Sequence, residues 1–228
     1  MLMDSAVEAR RRLADAQALD DAEVVRRVRD GDPVLFELLM RRHNQRIYRT
    51  VRSVIHNDAE IEEVMQQAYL NAYAHLAQFE GSAQFSTWLV RIALNEALAR
   101  RRKTRPFLST DDPETPLEAS MPIESAPPTP EAQVESRELT ALLEDAIERL
   151  PDLYRTTFVL REVEGLSTTE TALAEGTNEN VVKQRLHRAR AFIRRELTAQ
   201  VGAALGSAFP FDARRCDRVV AAVLASIT

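Results

Sequence analysis

Asn180, Lys183, Gln184, Arg185, His187 and Arg188 lie in a stretch that carries no acid from residue 181 to residue 195. Lysine and arginine can bond guanine edges or phosphates, and asparagine and glutamine can pair with adenine edges. That set of side chains has the chemistry of a duplex-DNA reader. Between them, Val182, Leu186, Ala189, Ile193 and Leu197 recur at three- and four-residue spacing, the apolar stripe of a helix whose other side faces solvent or a ligand. Upstream, Ser167-Thr168-Thr169-Glu170 has the pattern of a capping box that starts a short helix, and Gly176 interrupts it. A short capped helix, a glycine turn and a basic second helix are the parts of a helix-turn-helix. A two-helix hairpin with a solvated basic face would share the spacing.

A second constellation surrounds Gly81. Phe79, Phe85 and Trp88 lie upstream of a basic block, Arg100, Arg101, Arg102, Lys103 and Arg105. Cations that track phosphates beside aromatics that accept unstacked bases make a single-stranded nucleic-acid site. The same residues allow a plainer account, in which Trp88 is core and the cations complement a helix dipole. Catalytic chemistry has little to stand on. His43, His56, His75 and His187 lack metal-ligand spacing, Cys216 has no thiol partner, and no Gly-rich phosphate loop or HExxH occurs. Glu62 and Glu63 are adjacent, so on a helix they point apart and suit a solvated or partner-binding face better than acid–base work. No catalytic residue, metal or cofactor is expected.

The elements that carry these residues are helical. The 228-residue chain has only six glycines and 6% aromatics, too few for the turns of a β-sandwich or barrel. No apolar run approaches the roughly 20 residues that span a bilayer, so membrane insertion is not expected. The single cysteine makes a cytoplasmic setting the default. The net charge of −5 taken alone argues against nucleic acid, but the two basic blocks show that the charge is segregated.

Three segments separate by composition. Residues 20–105 are periodic: Val24 and Val28, a turn at Gly31-Asp32-Pro33, an apolar face from Val34 to Met40 that continues through Ile47, Val51, Val54 and Ile55, and a cap at Asn57. A stripe from Ile61 to Leu76 follows, with Glu62, Glu63, Gln66, Gln67 and Asn71 on its polar side, and then a helix from Ser86 to Arg102. Residues 106–136 hold seven of the ten prolines, several acids and no lysine or arginine, which predicts a flexible acidic linker. Residues 137–198 return to helix. Leu139, Leu142, Leu143, Ala146, Ile147 and Leu150 share one face, and Pro151 opens a second helix that runs to Gly165. Residues 199–228 form a tail with an amphipathic pattern from Phe209 to Ile227. The expected fold is all-α: two small helical domains joined by the linker, the second a helix-turn-helix.

Taken together, these motifs resemble regions 2 and 4 of the extracytoplasmic-function (ECF) sigma factors of RNA polymerase. The resemblance rests on Phe36-Glu37-Leu38-Leu39, the acidic helix Ala59 to Leu70, Phe79-Glu80-Gly81, the run Phe85 to Ala93 and Asn95. In the second half it rests on Leu150-Pro151, Gly165-Leu166-Ser167, Glu170, Ala172 and Val182 to Arg190. The family implies core RNA polymerase and promoter DNA as partners. It implies core contact through Glu62, Glu63, Gln66 and Gln67. Phe79, Phe85, Arg91, Asn95 and Arg101 would open and hold the minus-ten element, and the basic helix would read the minus-thirty-five element. An anti-sigma protein is common in the family, and no residue here proves one. Two positions depart from the family pattern: Thr171 stands where a large aliphatic residue is usual, and Asn180 replaces a common small residue. A stand-alone DNA-binding regulator would need only the second half and would leave the motifs of the first without a use.

Overall fold

The computed structural model describes residue 8 and residues 11–104 and 132–207, with side chains detailed over residues 8, 11–104 and 139–199. Every regular element among these residues is helical. After a short helical stretch at residues 11–15 come α1 (Asp21–Arg29), α2 (Phe36–Arg52), α3 (Asp58–Ala74) and α4 (Phe85–Thr104). The second half holds α5 (Ala132–Glu148), α6 (Asp152–Phe158), α7 (Thr168–Glu175) and α8 (Glu179–Ser207).

Local chemistry sets the helix ends. Asp20 caps α1 by accepting from the Glu23 N–H at 2.8 Å, and Asn57 caps α3 by accepting from the Glu60 N–H at 3.1 Å. Gly31 takes φ +107° between α1 and the turn that opens α2, a conformation that strains any side chain. Helices α2, α3 and α4 pack on one another, and α1 lies against α2. Their shared core contains Leu39, Ile47, Val51, Ile61, Leu89 and Leu94, all buried. Ala68 and Ala72 on α3 and Ala93 and Ala97 on α4 are also fully buried, and small side chains there let the backbones approach. Leu39→Ala should cost about 2–5 kcal/mol, because the transfer term adds to an unfilled cavity. Thermal unfolding of the variant measures it.

The second bundle builds its own core from Ala146, Leu150, Tyr154, Phe158, Leu186, Ala189 and Ile193. Its other face is not free. Leu160, Leu166 and Ala174 join the buried cluster of the first bundle, so the two halves pack together.

Several expectations need correction. The helix opened by Pro151 does not run uniformly to Gly165: after Phe158 it widens into a π turn, Val159–Val163, with the Glu164 N–H bonding the Val159 carbonyl at 2.9 Å. Gly165 at φ +70° then ends it. The helix expected to reach Leu76 stops at Ala74, and Leu76 lies in a 3₁₀ turn. Among the described residues only the C-terminal part of the stripe expected from Leu139 to Leu150 is covered: Ala146 and Leu150 are buried, whereas Leu139, Leu142 and Leu143 are 60%, 40% and 37% exposed. Residues 132–136 of the expected linker are already helical, and the rest of it lies outside the described residues. So does the amphipathic stretch from Phe209 to Ile227, while residues 199–207 simply extend α8. Thr171, the departure on α7, is fully buried, and its hydroxyl donates to the Ser167 carbonyl at 2.9 Å.

Candidate nucleic-acid interface

The helix-turn-helix forms as its caps demand. The Glu170 N–H donates to Ser167 Oγ at 3.1 Å, and the Ser167 N–H donates to Glu170 Oε2 at 2.9 Å, so both arms of the capping box are closed. Gly176 sits at φ +65°, and Asn178 caps α8 by accepting from the Val181 N–H at 3.0 Å. Hydrogen bonds from the Ser167 backbone, the Ser167 side chain and Thr87 hold the Glu170 carboxyl below its usual range. A carboxyl depressed in the folded state supplies stability at pH above the ordinary carboxylate value and loses it as pH falls through the lowered one. Acidification below about pH 4 should therefore loosen α7 in the native chain. A Glu170→Gln variant, followed by circular dichroism, should lack that part of the transition.

On α8, Val182, Leu186, Ala189 and Ile193 are buried and turn the opposite side outward. Asn180, Lys183 and Gln184 are exposed there; the Lys183 side chain is 63% accessible, and its nearest acid, Glu179, lies 3.8 Å away. The other residues of the expected reader are partly buried. Arg185 is largely buried and donates to Glu175 at 2.9 Å, joining the two helices of the motif. Burial pushes the Glu175 carboxyl up, against the pull of Thr157 and Arg185. Arg188 is half-buried and donates to the Tyr154 hydroxyl at 3.2 Å, and His187 is half-buried as well. The fully exposed face is thus narrower than the basic run.

Around Gly81, Phe79 and Phe85 are 9% and 4% exposed. With Trp88 they form a ring cluster whose centroids lie 5.4–5.7 Å apart, and Trp88 packs against the core as the plainer account expected. These phenylalanines underlie the loop and do not offer open faces to a base. Arg91 and Asn95 are exposed one turn apart on α4. Arg101 is paired with Asp152 of α6 at 2.8 Å.

The polar side of α3 faces solvent with Glu62, Glu63, Gln66 and Gln67 exposed. Glu63 accepts from Arg100 at 2.8 Å, and a ladder runs from Gln67 to Asn71 at 2.9 Å and from Asn71 to Glu96 at 2.7 Å. A cleft of about 360 Å³ opens between α3 and α4, lined by Glu63, Gln67, Glu96, Arg100 and Lys103. Sequence reasoning missed that Leu70 and Tyr73, 63% and 46% exposed, continue this face with apolar surface. Their positions three to four and six to seven residues beyond Gln66 and Gln67 were the available signal. Among the described residues no group of His, Cys, Asp or Glu could hold a metal ion, and no helix is long and apolar enough to cross a membrane.

Residues 39–107 match the family described as Sigma-70 region 2, and residues 140–193 match Sigma-70, region 4. The ECF RNA polymerase sigma factor SigW of Bacillus subtilis (strain 168) is 32% identical over 76% of this chain and 94% of its own length. The chain belongs to the ECF RNA polymerase sigma factors. It is accordingly a sigma factor, which directs RNA polymerase to promoters. The RNA polymerase sigma-H factor of Pseudomonas aeruginosa is 34% identical over 78% of this chain and 93% of that protein. Among solved structures, CnrH in complex with the cytosolic domain of CnrY superposes with a TM-score of 0.54 at 24% identity, over 78% of this chain and 97% of that one. The sigma factor RpoE of Bartonella quintana, in complex with the anti-sigma factor NepR, gives 0.53 at 18% identity, over 72% and 96%. At those identities the likeness concerns the fold.

Proposed function

We propose a division of labour within this ECF sigma factor. The exposed face of α3, with Glu62, Glu63, Gln66 and Gln67, docks on core RNA polymerase. The loop built over Phe79 and Phe85, together with Arg91, Asn95 and Arg101, opens and holds the minus-ten element. The outward face of α8, with Asn180, Lys183 and Gln184, reads the minus-thirty-five element as duplex, with the α8 N-terminus favouring a backbone phosphate. Arg185 and Arg188 support that face from within, and His187 borders it. The chain performs no bond chemistry of its own and acts in the cytoplasm. An anti-sigma protein is part of this reading, supported by the Bartonella quintana complex.

The observation that carries the reading is the separation of its surfaces: an acid-and-amide face on α3 in one half, and a basic-and-amide face on α8 in the other. Glu63→Lys together with Gln67→Ala should weaken core binding about tenfold or more in a quantitative pull-down, as loss of central interface groups does. The α8 face is untouched by that change. Core affinity equal to that of the wild type would remove α3 from the interface.

A further inference from the structure

Three leucines of α5 share one helical face and lie open. Leu139, Leu142 and Leu143 stand at i, i+3 and i+4, and each is well exposed. One turn further along the same face, Ala146 is buried in the core of the second bundle, and Leu150 follows it there. The open face is therefore continuous with a core that stops short of it. Contiguous apolar surface of this kind marks a contact site.

The chain that follows α8 carries a matching face. Helix α8 ends at Ser207, and residues 208–228 follow, outside the described residues. Gly206 and Pro210 are the residue types that break a helix and turn the chain. After them Cys216, Val219, Val220, Val223, Leu224 and Ile227 recur at three- and four-residue spacing, the apolar stripe of one helix. As a helix, residues 212–227 measure about 24 Å, against about 25 Å for the 17 residues of α5. The charges are complementary as well. Helix α5 carries Glu135, Glu138, Glu144, Asp145 and Glu148 against Arg137, whereas the tail carries Arg214, Arg215 and Arg218 against Asp212 and Asp217. The tail also starts nearby: α8 packs on α5, Arg149 lies 3.6 Å from Glu196, and the run from Glu196 to Ser207 advances about 16 Å.

We propose that the C-terminal tail folds back as a helix along α5, with the stripe from Cys216 to Ile227 seated on Leu139, Leu142 and Leu143. The second bundle gains a further helix, and the core begun by Ala146 and Leu150 runs the length of α5. Because the tail is tethered to α8, it meets α5 at an effective concentration of about millimolar, which a free helix or a second copy must exceed.

Cys216, the single cysteine, reports on the contact in the full chain. Seated on α5, its thiol should react with an aromatic disulfide reagent at least about tenfold more slowly in native buffer than in urea, since reaction needs the tail to leave. Leu139→Gln with Leu142→Gln should raise the native rate towards the rate in urea, with circular dichroism showing the chain still folded. A native rate equal to the unfolded one overturns the proposal, and so does protection that survives in the α5 variant. Protection that appears only as protein concentration rises, with a dimer in analytical ultracentrifugation, would make the face an interface between copies and refute the tail as its occupant. A cycle of substitutions tests the contact without the thiol. Leu139→Gln with Leu142→Gln, Val220→Gln with Leu224→Gln, and all four together are compared by urea unfolding. Each pair alone should lower the midpoint, and the four together should lower it no further than the stronger pair. Additive losses, or midpoints that neither pair moves, contradict the contact.

Discussion

Replacing Lys183 and Gln184 together by alanine is expected to lower promoter-specific transcription about tenfold or more, because each good base-edge contact is worth about 1–3 kcal/mol of discrimination. Both side chains are exposed on the outward face of α8, and neither packs in the core of the second bundle. The substitution should therefore leave the unfolding temperature and core affinity unchanged. Run-off transcription with and without competing non-promoter DNA measures the loss. An equal fall on every template would make these residues phosphate contacts instead of base readers. Arg188 is unsuited to the same test, since it donates to Tyr154 and its removal would disturb packing.

Arg185 gives the second large effect, and the effect concerns stability. Its guanidinium neutralises Glu175, whose side chain is only 5% exposed. Arg185→Met leaves that carboxylate buried without its cation, which should cost about 3–5 kcal/mol. The double variant Arg185→Met with Glu175→Leu should recover most of the loss, because it removes both charges. Thr157 keeps a partner in the double variant, its hydroxyl also donating to the Leu153 carbonyl at 3.0 Å. The pH dependence has a definite sign. Burial already raises Glu175, and removing Arg185 raises it further, so the folded single variant binds a proton that the unfolded chain does not. Its deficit should shrink as pH falls towards about 5 and grow again towards neutrality. Urea unfolding across that range, on both variants, checks the sign and the rescue. A single variant as stable as the wild type would show that the Arg185–Glu175 pair contributes nothing net.

The helices were legible in the sequence wherever local chemistry decides them. Asn57 before α3, the Ser167–Glu170 box before α7 and Gly176 after it act through neighbours a few residues away, so their spacing alone announces them. The exposed face of α8 was legible in part. Periodicity separated Val182 and Leu186 from Lys183 and Gln184, but it could not show that Arg185 turns back to a carboxylate ten residues earlier. Charge alone makes Arg185 look like its neighbours. Whether Phe79 and Phe85 face outward or pack on Trp88 was not legible, for a related reason: an aromatic beside a basic block has the same composition in either case. Contacts such as Arg46 with Glu164, or Arg101 with Asp152, join residues far apart in the chain, and no local pattern encodes them. The π turn after Phe158 coincides with Leu160 and Leu166 seated in the first bundle's cluster, a long-range contact that the helical periodicity of α6 does not encode.

The central claim is that α3, α4 and α8 act as one promoter-reading device only when core polymerase is present. It is tested most directly by run-off transcription from a pool of genomic fragments, using purified core enzyme with and without this chain and mapping the transcript starts. The account predicts a discrete set of starts that needs both components, shares two sequence elements at a fixed spacing, and weakens with Lys183→Ala and Gln184→Ala. Starts independent of the chain, or tight sequence-specific duplex binding by the chain alone with no new starts, would contradict it.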